Sequence, residues 1–170
     1  MPLTLGRYDS PIGPLAIATD GDILLAIDFN GDVKALAHRL SLPDSAADAF
    51  PDAARPVLAR LEAYFAGDLA ALDRIAVRPA GTPFQRRVWD ALRTIRPGTT
   101  SSYRDLAVRI GSASAVRAVG AANGANPIPI VVPCHRVIGT NGALVGYGGG
   151  LDRKRWLLAH EGVIAARLWG

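Results

Sequence analysis

One cysteine in 170 residues leaves no partner for an internal disulfide, so a reducing, cytoplasmic setting is the natural expectation. No apolar run is long enough to span a bilayer, and no basic stretch followed by an apolar one opens the chain. Neither a membrane anchor nor a secretory leader is therefore expected. The three histidines are scattered, and no Cys/His ligand spacing occurs, which argues against a bound metal. What is present is an apolar fraction of 49%, enough for a substantial core. The length allows one domain, or two small ones sharing an interface.

Charge is also missing where an even mixture would put it. Residues 1–79 carry 7 Lys/Arg against 11 Asp/Glu, a net of −4, whereas residues 80–170 carry 12 against 4, a net of +8. A moderately basic surface is common, but a basic half joined to an acidic one points to a nucleic-acid face on the second half.

The first half opens with strand-like segments at Leu3–Tyr8, Leu15–Thr19 and Ile23–Phe29, separated by Asp/Gly/Pro turns, which predicts a β-meander. Val33, Leu36, Ala37 and Leu40 recur at helical spacing, Ser41–Pro51 reads as loop, and a second helix is predicted from about Ala53 to Ala66. Ile75–Arg78 reads as one more short strand. Nothing in this half clusters as a site. Pro79-Ala80-Gly81 reads as a linker, dividing an N-terminal scaffold (1–79) from a C-terminal domain (80–170).

Beyond it, Thr82-Pro83-Phe84-Gln85 combines a capping residue, a proline suited to the first helical position and the glutamine of a capping box. Two short helices follow, one capped by Ser102 and broken at Gly111, the other capped by Ser112 and reaching Asn123. This is the helix-turn-helix pattern, which an ordinary helical hairpin shares. The second helix is nearly all small residues with one arginine, Arg117. Readers of the major groove use several long polar side chains, so a smooth helix with one cation suits a sequence-tolerant approach, including to the minor groove.

Cys134 stands between a proline and His135 at the end of the apolar run Ile128–Val132, which predicts a buried extended segment delivering the thiol on rigid backbone. A solitary cysteine is commonly an inert core residue. Here the neighbouring imidazole and the Arg136 guanidinium would favour the thiolate, the reactive form. Thr140-Asn141-Gly142 is a hairpin turn, with Val137–Gly139 and Leu144–Tyr147 as the predicted strands of a wing. A last helix is predicted over Leu151–Glu161.

Asn126-Pro127, Pro133-Cys134-His135-Arg136-Val137, Gly146-Tyr147 and Trp156-Leu157-Leu158-Ala159-His160-Glu161-Gly162 stand in an order and at separations that resemble the methylated-DNA–protein-cysteine methyltransferases, in their bacterial form. Tyr103-Arg104-Asp105-Leu106-Ala107 and Arg117-Ala118-Val119-Gly120 match as well. The resemblance covers essentially the whole chain and is strongest from Thr82 onward. It implies an α+β fold, with an N-terminal ribonuclease-H-like α/β domain holding a small sheet. A mainly helical, winged helix-turn-helix-like domain would follow.

The resemblance further implies irreversible transfer of an alkyl group from the 6-oxygen of guanine in duplex DNA to Cys134, once per molecule, with no cofactor. Alkylated thymine and cooperativity along DNA stay open, and the protein is expected to be a monomer. His135 would take the thiol proton through a water, and Glu161 would orient the imidazole. Asn126 would act as the hinge before the active-site segment, and Tyr103 would serve the departing guanine. Arg117 would fill the stack vacated by a flipped base. Ala115, Ala118 and Gly120 would line the minor groove, with Arg104, Ser112 and Thr140 as backbone contacts. Val137, Tyr147 and Gly148 would shape the alkylguanine pocket; at Gly148 some relatives carry a hydroxyl.

Three rivals are discriminated by the same residues. A catalytically silent damage sensor would replace the cysteine. A winged-helix regulator would need base-reading groups that the smooth helix lacks. A cysteine hydrolase built on Cys134, His135 and Glu161 would turn over, and an adjacent Cys and His make poor partners for acyl transfer.

Overall fold

The structure is a computed structural model that describes residues 3–43, 54–142, 144 and 146–163. The chain divides into two compact units, Met1–Ala80 and Gly81–Gly170. The fold is the α+β arrangement expected. Among the described residues no helix is long and apolar enough to cross a membrane.

In the first unit the meander forms. Strands β1 (Leu3–Ser10), β2 (Gly13–Asp20) and β3 (Ile23–Asp28) pair antiparallel in order, and β4 (Ala76–Val77) joins β3 in parallel. β2 is flanked on both sides, and Leu15–Thr19 are buried on both of its faces. Its alternation of large and small apolar residues fits such a central strand. Helix α1 (Val33–Arg39), capped by Asp32 on the Ala35 amide at 2.9 Å, places Leu36 and Ala37 against Leu5, Ala16, Ala18 and Ala26. Helix α2 (Arg55–Phe65) buries Val57, Leu61 and Tyr64. Much of the predicted loop over Ser41–Pro51, and the predicted helix start at Ala53, lie outside the described residues.

In the second unit the capping box forms as its residues dictate. The Gln85 amide donates to Thr82 Oγ1 at 3.1 Å, and the Thr82 amide to Gln85 Oε1 at 2.9 Å. Helix α3 (Pro83–Leu92) then buries Val88, Trp89, Ala91 and Leu92. Helix α4 (Tyr103–Arg109) is capped by Ser102, whose Oγ accepts from the Asp105 amide at 3.0 Å. Helix α5 (Val116–Gly124) packs on α3 and α4, and helix α6 (Leu151–His160) ends the unit.

Three expectations need correction. Ser112 does not cap α5: the helix begins at Val116 with Ala115 as its cap residue and no side-chain cap. Gly111, at φ +76°, closes α4 in the left-handed region, and the Ser112 amide turns back to Ala107 O at 2.9 Å, so Ser112 belongs to the turn. The strand β6 (Val137–Ile138) pairs in parallel with β5 (Ser101–Ser102) rather than with Leu144–Tyr147. The turn itself forms, with the Gly142 amide on Gly139 O at 2.9 Å, but Leu144, Gly146 and Tyr147 are not in a strand. Ala143 and Val145 lie outside the described residues. The run Ile128–Pro133 is buried but not extended. The Val132 amide bonds Ile128 O at 2.9 Å across a compact turn in which Ile130 holds φ +77°. Pro129 and Pro133 have no amide hydrogen to offer a ladder, which disfavours a strand there.

Candidate active site

The turn that carries the cysteine is built on one side chain. Asn126 Oδ1 accepts from the Ile128 amide at 3.0 Å, and its Nδ2 donates to Val132 O at 2.8 Å. The amide thus stands in for the peptide groups a strand would have supplied. Ile128, Ile130, Val131 and Val132 anchor the turn in the core at 3% exposure or less. That burial makes a positive φ at a β-branched residue tolerable. The Cys134 amide bonds Val132 O at 2.8 Å and opens a short 3-10 turn, Cys134–Arg136, that leads into β6.

Cys134 is 6% exposed. Burial pushes its thiol above the ordinary value, while a hydrogen bond from Asn126 and the charge of Lys154 pull the other way. The resting group is thus a thiol, and the reactive thiolate must be generated by a base. The cation that acts on the sulfur is Lys154. Arg136, which sequence adjacency had placed in that role, turns elsewhere. Its Nε and Nη2 donate to both oxygens of Glu161, at 2.8 and 2.9 Å, and Nη1 donates to Ile95 O at 2.6 Å.

Glu161 sits at the C-terminal end of α6, 3% exposed. A helix end repels a carboxylate, and the tertiary partners compensate. Burial alone would raise the carboxyl. The interactions with His135 and the hydrogen bonds of Arg136 outweigh it and hold the group well below the usual carboxylate range. Gly98, at φ +82°, lets the chain after α3 lie against this corner; a Cβ there would come within 2.9 Å of Glu161 O.

His135 is fully buried, and its Nε2 meets Glu161 Oε2 at 2.8 Å. Burial pushes the imidazole below its ordinary value, against the pull of Glu161. With the bidentate Arg136 already balancing the carboxylate, the imidazole is neutral. Its Nε2–H donates to Glu161, and Nδ1 is left as an acceptor. Nδ1 is buried and has no hydrogen-bond partner among the described residues. A neutral imidazole with one nitrogen fixed by a carboxylate and the other available is the arrangement of a general base.

Tyr103 is the first residue of α4 and half-buried. Burial raises its phenol, a thiolate at Cys134 raises it further, and a hydrogen bond from Asn123 opposes both. The structure thus pairs His135 with Glu161 and brings Asn126 and Tyr103 within interaction range of Cys134. Val137 is fully buried, and its carbonyl accepts from Lys154 Nζ at 2.7 Å. Lys154 Nζ also reaches Gly146 O at 3.4 Å, and Arg153 Nη1 donates to Gly149 O at 3.1 Å. Both ties hold the loop of Tyr147 and Gly148 to α6. Lys154 is 0% exposed, its ammonium pushed down to about 8 by burial, and sequence reasoning missed it. Its spacing to Leu157, Leu158 and Glu161 was the available signal, since those positions share one helix face.

The remaining candidates face solvent or the helix surface. Arg104, Arg117, Ala118 and Thr140 are exposed, and Ser112, Ala115 and Gly120 are half-buried. Gly120 also underlies the site, because a Cβ there would sit 3.9 Å from Tyr103 Cδ1.

A buried cysteine beside a neutral, carboxylate-fixed histidine, on a domain of packed short helices, defines a class of thiol-dependent protein. The comparisons narrow it. The profile described as 6-O-methylguanine DNA methyltransferase, ribonuclease-like domain, matches residues 3–79, and that described as 6-O-methylguanine DNA methyltransferase, DNA binding domain, matches residues 83–163. The methylated-DNA–protein-cysteine methyltransferase of Methanosarcina acetivorans is 46% identical over 158 residues, 91% of this chain and 96% of the relative. The Salmonella typhimurium protein of the same name is 60% identical over 105 residues, 62% of this chain; the match spans 61% of that relative's length. The crystal structure of Mycobacterium tuberculosis OGT in complex with DNA is 42% identical, with a TM-score of 0.77 over 97% of this chain and 94% of that one. The chain belongs to the methylated-DNA–protein-cysteine methyltransferase family.

Proposed function

We propose that this protein repairs DNA by direct reversal, moving a methyl or other alkyl group from the 6-oxygen of guanine to its own Cys134. The observation that carries the reading is the Cys134–His135–Glu161 corner. A buried thiol that resists ionisation stands next to a buried imidazole kept neutral and fixed by a carboxylate at 2.8 Å. His135 Nδ1 takes the thiol proton through a water. The sulfur then attacks the alkyl carbon in line, forming the C–S bond as the C–O bond breaks. The electron pair of the broken bond stays on the guanine, which takes a proton from the Tyr103 phenol. Overall one proton passes from the protein to the base and one alkyl group passes the other way. A thioether offers no practical leaving group, so Cys134 is spent after one event.

Reaching a base atom inside a duplex requires flipping, at a cost of a few kcal/mol of unstacking. Arg117, exposed on α5, enters the vacated stack. Ala115, Ala118 and Gly120 allow close approach in the minor groove, with Arg104, Ser112 and Thr140 on the backbone. Val137, Tyr147 and Gly148 wall the pocket.

The test is stoichiometry. Label from a duplex carrying 6-O-methylguanine is expected on the protein at one per molecule, and absent from Cys134→Ala. Released product accumulating beyond the protein concentration contradicts the single-use mechanism and favours a hydrolase.

A further inference from the structure

Arg136 is a buried cation to which the transfer chemistry gives no step. It is 4% exposed, lies on the short 3-10 turn Cys134–Arg136 and follows His135 directly. The two consecutive side chains converge on one carboxylate. His135 Nε2 and Arg136 Nη2 both meet Glu161 Oε2, at 2.8 and 2.9 Å, and Arg136 Nε donates to Oε1 at 2.8 Å. Arg136 Nη1 donates to Ile95 O at 2.6 Å, just beyond the end of α3, so the guanidinium is pinned from two sides. Arginine suits the place, because its rigid fork matches both oxygens of a carboxylate. A salt bridge buried this deeply adds little net stability. Its position against the base points to a second use.

Charge counting shows that use. With Arg136 in place, a neutral imidazole, a carboxylate and a guanidinium sum to zero. Without it the buried carboxylate would face the imidazole alone, and an uncompensated charge in such a site is neutralised by a change of protonation. The proton would settle on His135 Nδ1, because Nε2 is already engaged with Glu161. Nδ1 is the atom that receives the thiol proton in the proposed reaction. Among the described residues the other charged group acting on the imidazole is Lys154 of α6. It disfavours the imidazolium as Arg136 does, but its ammonium is held by Val137 O. We propose that Arg136 is a positioning residue of the transfer: it carries the countercharge of Glu161 and fixes both its oxygens, which keeps His135 Nδ1 open to the thiol proton. This rests on the alkyltransferase reading above and requires no contact between Arg136 and DNA.

The experiment follows single-turnover transfer from a saturating duplex carrying 6-O-methylguanine across neutral and alkaline pH, for the wild type, Arg136→Lys and Arg136→Met. Relative to wild type at the same pH, Arg136→Met is expected to be about tenfold slower at neutral pH and to recover to within about twofold at alkaline pH. An imidazole left alone with a carboxylate holds its proton to higher pH. Arg136→Lys keeps the charge but loses the fork, and is expected to keep the wild-type profile at a uniformly lower rate. A loss in Arg136→Met that is the same at every pH, as a merely structural role would give, overturns the proposal. So does an Arg136→Lys profile that matches that of Arg136→Met. Should Arg136→Met not fold, the nitrogen-15 shifts of the His135 ring decide, read in the wild type and Arg136→Lys at neutral pH. Nε2 protonated and Nδ1 bare in both is expected, and an imidazolium in either overturns the assignment. A wild type that accepts no methyl group sinks the alkyltransferase reading instead, while the ring nitrogens still report on Arg136, so the two failures are distinguishable.

Discussion

Among the described residues the first unit buries one polar side chain, Thr19, whereas the second buries Ser101, Asn123, His135, Arg136, Lys154 and Glu161. Thr19 is satisfied locally by Thr4 on the neighbouring strand, at 2.7 Å. In the second unit His135, Arg136, Lys154 and Glu161 make their shortest side-chain hydrogen bonds across 17 to 41 residues of chain. An apolar interior stabilises through transfer from water and tolerates exchange of one hydrocarbon for another. A buried ionic network rarely adds net stability, and it collapses when one member is removed. The contrast separates a scaffold from a region whose interior is arranged for chemistry.

Breaking the network should have the largest effect. Glu161→Gln leaves His135 unoriented and Arg136 uncompensated. A loss of about 100-fold or more in transfer rate is expected, with a destabilisation of about 3 kcal/mol by denaturant titration. Near-normal transfer would mean that the imidazole does not depend on its carboxylate. Arg117→Ala touches no buried group. It should slow repair in duplex by about tenfold, the scale of a base-flipping penalty, while reaction with the free modified base is unchanged. Equal losses in both assays would remove Arg117 from the flipping step.

Leu36→Ala sharpens the comparison from the other side. Stability should fall by about 3 kcal/mol, with the transfer rate per folded molecule unaltered; a large rate defect would show that the scaffold takes part in the chemistry. Acid supplies the mildest perturbation. His135 is depressed below 6.5 in the folded state, so above pH 6.5 it is neutral whether folded or unfolded and contributes no pH dependence. As pH falls below that value the unfolded chain takes up a proton first, and stability declines. Glu161, also depressed, loses its contribution only further down, as pH passes below the ordinary carboxylate range. The transfer rate should stay level from pH 8 to about 6.5 and drop only below it. The difference in stability between wild type and His135→Gln should follow the same profile.

Much of this was legible in the residues, and the boundary of legibility has a physical cause. The start of α3 was readable because Thr82, Pro83 and Gln85 act on one another within a single turn. The meander was readable because Asp/Gly turns and apolar runs are local signals. The turn before Cys134 was not. Its shape is decided by the Asn126 side chain bonding groups two and six residues on, and by a positive φ at Ile130 that no propensity foretells. The late start of α5 reflects competition, since Ser112 is used to close α4 before it can cap the next helix. The pairing of β6 with β5 joins segments 36 residues apart in register, beyond the reach of a local hairpin signal. Within the site, Cys134 and His135 stood out by type and neighbourhood, and Glu161 through the family resemblance. Lys154 was hidden between Arg153 and Arg155 in a run that reads as a solvated face. It shows its importance only through what it touches.

The most direct measurement is the intact mass of the protein after incubation with a duplex containing 6-O-methylguanine, followed by peptide mapping. The predicted result is a gain of one methyl group in place of a hydrogen, confined to the peptide that holds Cys134 and complete at one equivalent of damaged base. An unchanged mass, or a methyl group found on another residue, would contradict the assignment of Cys134 as the acceptor.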